Sequence, residues 1–177
     1  MSVVINESGL TFGSYGKEAL FHVEASEIRK SLNLRTVEFV LRHKNDEILL
    51  IEAKSSSPRP GNQADFDEFI CEISEKFIHT VDLYFSLVLK RVNDTAGDMP
   101  DFFKKADYAA VKITLLLIIN GHKINWLPPI KDAIKLQIKR HIKTWRLDVA
   151  VMNNEQAGSY GLLYTNGAEI YRHNGAR

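Results

Sequence analysis

The apolar and polar positions change period several times along the chain, and each change marks an element. The stretch "TVEFVLRHKNDEILLIEAK" holds two β-rich runs around the polar tripeptide Lys44-Asn45-Asp46, which predicts an antiparallel hairpin with a short loop. "SSSPRPGN" follows, and its prolines, glycine and serines mark a loop. From Gln63 to about Leu89 the step lengthens. Phe66, Phe69, Ile70, Ile73, Phe77, Val81, Tyr84 and Val88 recur at intervals of three and four, the signature of one long amphipathic helix. Asp65 and Asp67 suit its first turn, where carboxylates meet the positive end of the helix dipole.

Beyond "NDTAGDMPD", a loop, the run "VKITLLLII" at 111–119 reads as a buried strand. "LPPIKDAIKLQIKRHIKTW" opens with prolines suited to a helix start and predicts a second helix, followed by the short strand "RLDVAVM". Upstream, "GKEALFHVEASEIRKSL" predicts a strand or turn leading into a short helix, and Asn166-Gly167 suggests a small terminal hairpin. A helix crossing between strands favours an α/β fold with a mixed central β-sheet flanked by helices. With 177 residues and no repeat or long linker, residues 1–177 are expected to form a single domain.

Composition narrows the picture little. Hydrophobic residues make up 45% and charged residues 25%, ordinary for a globular protein. A net charge of +1 means that any nucleic-acid contact must use positive charge gathered on one face. The single cysteine, Cys71, excludes an intrachain disulfide and a cysteine-rich zinc site, and beside Ile70 it reads as a buried thiol. The six histidines show no H-x-x-x-H spacing. "MSVVINESGLTF" lacks the pattern of a signal peptide, and "ITLLLII" is too short to cross a bilayer, so no membrane association and a cytoplasmic location are the expectations.

The hairpin carries the candidate chemistry. Alternate residues of a strand share a face, so Ile48, Leu50, Glu52 and Lys54 lie together, as do Thr36, Glu38, Val40 and Arg42. A turn made of Lys44 to Asp46 sets His43 opposite Glu47 and therefore Glu38 opposite Glu52, on one face. A two-residue turn would instead set Glu38 opposite Ala53. Opposed residues have Cβ atoms about 4.5–5.5 Å apart, and like charges there are destabilising. A cation between them removes the conflict. Mg2+ takes oxygen ligands and usually one or two carboxylates plus waters.

"VEFVL … ILLIEAKSS" resembles the PD-(D/E)xK nuclease superfamily, in which an acidic residue on one strand precedes E-x-K or D-x-K on the next. The order of elements after it is similar as well, over roughly residues 20–150. The resemblance implies a restriction-endonuclease-like fold and Mg2+-dependent hydrolysis of phosphodiester bonds in DNA, with Mn2+ as a substitute. It implies that Glu38 and Glu52 bind the metal and that Lys54 assists the attacking water. Some members add a glutamate from before the hairpin and a glutamine from the following helix; here Glu24 in "FHVEAS" and Gln63 in "GNQADF" hold those positions. The first acid of this chain is Glu rather than Asp, and Val37 rather than proline precedes it.

Lys131, Lys135, Lys139 and Lys143 recur every four residues beside a stripe of Ile130, Ile134, Ile138 and Ile142. The lysines are either a phosphate-tracking face for nucleic acid or the solvated side of an amphipathic helix. Trp126 and Trp145 are expected in packing roles and His122 in a loop. Nuclease domains that cut both strands pair, which makes a homodimer compatible with this reading. The rival expectation is a catalytically inactive protein of the same fold that serves as an interaction or regulatory module.

Overall fold

The computed structural model describes residues 2–44 and 47–164; the loop tip at Asn45 and Asp46 and the Asn166-Gly167 hairpin expected from sequence lie outside them. The chain opens with a two-stranded antiparallel hairpin, β1 (Ser2–Glu7) and β2 (Leu10–Gly16). Its two-residue turn puts Ser8 at φ 52° and Gly9 at φ 75°, the left-handed pair that matches strand twist. A side chain at Gly9 would also meet Asn120 Nδ2 at 2.9 Å. The short strand β3 (Leu20–Phe21) follows, and then α1 (Glu27–Ser31), where Ser26 Oγ accepts the Arg29 N–H as N-cap.

The predicted hairpin is β4 (Phe39–His43) and β5 (Glu47–Lys54). It pairs His43 with Glu47 and Phe39 with Ile51, the register of a three-residue turn. The predicted long helix is α2 (Gln63–Val88), followed by α3 (Asp101–Lys105) and β6 (Lys112–Ile119). The second helix departs from expectation. It divides at Ile138 (φ −105°, ψ 20°) into α4 (Leu127–Gln137) and α5 (Lys139–Trp145), with Ile138 itself buried at the bend. β7 (Leu147–Asn153) and α6 (Asn154–Ser159), closed by an Asn153–Gln156 capping box, complete the described chain.

Five strands form one mixed sheet in the order β3-β4-β5-β6-β7. β3, β4 and β5 are mutually antiparallel neighbours, whereas β5, β6 and β7 run parallel through the crossovers α2 and α4. Parallel strands covered on both faces need apolar side chains on both, hence the unbroken runs of β5 and β6. On one face Ile48, Leu50, Leu115 and Leu117 meet Phe69, Ile73, Phe77 and Val81 of α2 and Ile130 and Ile134 of α4. On the other, Leu49, Ile51, Leu116 and Ile118 meet Ile5 and Phe12 of the β1–β2 hairpin and Ala157 of α6. Among the described residues no helix is long and apolar enough to cross a membrane.

Candidate functional site

Glu38 is the residue just before β4, and the β4–β5 register carried one step past Phe39–Ile51 places it across from Glu52. Its N–H donates to the Ile51 carbonyl at 3.1 Å, which holds that alignment. The neighbouring Val37 ties this segment to α2, its N–H donating to Thr80 Oγ1 at 2.9 Å. The two acidic side chains converge on the α2 face. Lys76 Nζ lies 2.7 Å from Glu52 Oε1 and 3.7 Å from Glu38 Oε1, so a single ammonium reaches both.

Glu52 is fully buried, and its second oxygen, Oε2, has no hydrogen-bond partner among the described residues. A buried ionised carboxylate is costly unless it is paired. Burial accordingly pushes the Glu52 carboxyl above its ordinary value, opposed by the Lys76 and Lys54 ammoniums. Glu38 is pushed up to about 9, first by burial, then by the hydrogen bond its protonated carboxyl donates to Glu24 and by the charges of Glu52 and Glu24, with Lys76 opposing. Glu24 comes to this place because the loop after β3 bonds to the start of β4, its N–H donating to the Glu38 carbonyl at 3.3 Å. Glu24 also lines an open cleft of about 660 Å3 with His22, Arg29 and the β1 residues Ile5 to Glu7.

Lys54 projects from the same face of β5. Its Nζ lies 2.8 Å from Glu72 Oε1 and 3.4 Å from Glu52 Oε1. Burial works against its charge, but the two carboxylates outweigh it and raise the ammonium above its ordinary value. Glu72 in turn is held low by its bond from Lys54. Arg35 closes the outer edge, 2.9 Å from Glu75 and 3.8 Å from Glu72.

Four of the residues singled out from sequence, Glu24, Glu38, Glu52 and Lys54, therefore meet in one place. Gln63 does not join them. It is exposed in the first turn of α2 and donates to Asp67 Oδ1 at 2.7 Å. Glu72, the α2 residue at the cluster, follows nine positions later, about 13 Å along the axis. Lys135 and Lys139 are exposed and Lys131 is half-buried, on helices whose other side packs against β7. Among the described residues no ion pair links them to the carboxylates, which is the geometry of a solvated helix face. Cys71, expected to be buried, is exposed on α2.

Glu72 and Lys76 were not anticipated from the sequence. Lys76 follows Ile73 by three and precedes the buried Thr80 by four, so it occupies the inward row of α2. A lysine in such a row is the signal that it has an acidic partner inside.

A second polar group lies at the ends of β5 and β6. The buried His122 sets Nε2 3.1 Å from Ser57 Oγ and packs its ring 5.2 Å from Trp126, with the Arg59 guanidinium 4.9 Å over the indole. Burial lowers the His122 pKa. Among the described residues no carboxylate orients this ring, and Asn153 Nδ2 bonds the His122 carbonyl at 3.0 Å, which is an anchoring contact.

The donor chemistry at the hairpin fits a small hard cation. Glu24, Glu38 and Glu52 offer only oxygens, and Glu52 Oε2 is buried with an unused lone pair. However, no group of three or more His, Cys, Asp or Glu side chains among the described residues is arranged to hold a metal ion. No protein-family model, curated protein or solved structure significantly matches the chain.

Proposed function

We propose that the chain is a PD-(D/E)xK-like, restriction-endonuclease-like nuclease domain that hydrolyses phosphodiester bonds of DNA with Mg2+. The observation that carries the reading is the convergence of Glu24, Glu38 and Glu52 with Lys54 on one face of the β4–β5 hairpin. The succession of hairpin, helix, strand, helix and strand supports the fold assignment. Glu38 and Glu52 would hold the metal, which when bound neutralises charge on the phosphoryl oxygens and acidifies a water. Lys54, kept protonated by Glu72 and Glu52, orients that water and stabilises charge on the phosphate. Glu24, at the margin of the open cleft, accepts hydrogen bonds from water or substrate entering along it.

The test is cleavage of plasmid and single-stranded DNA by purified protein with Mg2+ or Mn2+. Cleavage that disappears in Glu52→Ala is the expected result. DNA left intact by both proteins would overturn the reading.

One observation favours a second reading, an interaction or regulatory module that has kept the fold without the chemistry. Lys76 already supplies a positive charge between Glu38 and Glu52, so the pair is neutralised in part by the chain itself. Calorimetry separates the two readings, because the module gives no heat with MgCl2 or MnCl2.

A further inference from the structure

We propose that Lys76 is the built-in cation of the Glu38–Glu52 pair and that a divalent metal binds only by displacing its ammonium, so that Lys76 gates the site. The inference rests on the reading of these carboxylates as metal ligands and adds the regulation of that site. Three observations carry it. The ammonium stands where a bridging ion would, 2.7 Å from one carboxylate and 3.7 Å from the other. It satisfies the pair incompletely, because Glu52 Oε2 has no hydrogen-bond partner among the described residues although the side chain is fully buried. And the other nearby ammonium, Lys54, is already shared between Glu72 and Glu52.

The backbone around Lys76 is held in place, so the gate requires movement of its side chain alone. The Lys76 carbonyl accepts the Thr80 hydroxyl at 2.7 Å, and the same hydroxyl accepts the Val37 N–H, tying α2 to the start of β4. The lysine stem is a flexible four-carbon chain with a strongly hydrated head. Its Nζ can therefore swing out to solvent without moving the helix. The side chain is already 13% exposed, which gives it a way out. A cation with several oxygen ligands could then use Glu52 Oε2, which the ammonium leaves idle.

The experiment is calorimetric titration of MnCl2 into wild type, Lys76→Met and Lys76→Arg. Lys76→Met keeps the apolar stem, so it is expected to bind Mn2+ at least about tenfold more tightly than wild type. Lys76→Arg keeps the charge and is expected to show no gain. Equal affinity in wild type and Lys76→Met overturns the gate while leaving the carboxylates as ligands. No heat in either protein overturns both the gate and the metal reading. Tighter binding in Lys76→Met without DNA cleavage by either form supports the gate and sinks only the nuclease assignment. If Lys76→Met does not fold, acetylation of wild type decides: Lys76 labelling, read by mass spectrometry, is expected to rise severalfold with MnCl2, and unchanged labelling overturns the proposal.

Discussion

Glu47 and Glu52 stand five positions apart on the same strand, both buried, and their surroundings are opposite in kind. Glu47 faces the β1–β2 and α6 side. It accepts the Thr114 hydroxyl at 2.9 Å and the Tyr160 hydroxyl at 2.6 Å, with Lys112 Nζ 3.4 Å away. Burial by itself would raise its pKa, but Tyr160, Thr114 and Lys112 outweigh that and lower it. Glu52 faces α2, has the Lys76 and Lys54 ammoniums at one oxygen and no hydrogen-bond partner among the described residues at the other, and is raised. The first carboxylate is a finished structural joint between β5, β6 and α6. The second is held beside another acid with bonding capacity unused, as expected of a group meant to take something more.

Experiments on the two carboxylates should separate along that line. The largest effect is expected for Glu52→Ala in the DNA-cleavage assay, a loss of about a thousandfold, equivalent to about 4 kcal/mol of barrier. Glu47→Ala should leave cleavage unchanged and act on stability instead. It strands the Tyr160 and Thr114 hydroxyls, at a cost of about 2–3 kcal/mol in urea unfolding. Equal losses of activity from the two substitutions would erase the distinction between joint and site.

The pH dependence of stability should carry opposite signs at the two ends of β5. Glu38 ionises near its ordinary value of 4.5 when unfolded and near 9 when folded. Between these values the folded chain keeps a proton that the unfolded chain has released, so the Glu38 contribution falls as pH rises through that window. Glu47 is depressed, so its contribution is present above 4.5 and is lost as the solution is acidified below it. Glu38→Gln should therefore flatten the alkaline side and raise the melting temperature near pH 8 by about 2–4 °C, corresponding to about 1 kcal/mol. A melting temperature that stays as pH-sensitive between 5 and 9 in Glu38→Gln as in wild type would refute the assignment (calorimetric scans read it directly). The smallest effect is expected for Arg35→Ala. Its pairs with Glu72 and Glu75 are solvent-exposed, so chemical denaturation should shift by less than about 0.5 kcal/mol.

Much of the framework was legible because local periodicity reports burial directly. The extent of α2 and the buried strand β6 follow from the spacing of apolar residues, whereas the choice between a two- and a three-residue hairpin turn is decided only by the observed pairing of His43 with Glu47. The β1–β2 hairpin was not assigned in advance. Its strands carry few buried positions, Ile5, Leu10 and Phe12, and only contact with Leu49, Ile51 and Leu116 makes those residues core. The break at Ile138 was likewise invisible, since the isoleucine stripe continues through it at helical spacing. At the site, strand alternation put Glu52 and Lys54 on one face and the three-residue register brought Glu38 to them, whereas Gln63 sits well short of the cluster along α2.

The order of residues alone determined which side chains share a face of each strand or helix, because those periods are properties of the backbone. What crosses between elements had to await the fold. That Lys76 of α2 reaches both acids, that Glu24 bonds Glu38, and that Tyr160 completes Glu47 all depend on how distant segments are laid against the sheet. Ionisation follows the same division. A glutamate's chemistry is written in its identity, but whether its proton is held or released is set by the neighbours and the water that tertiary packing leaves beside it.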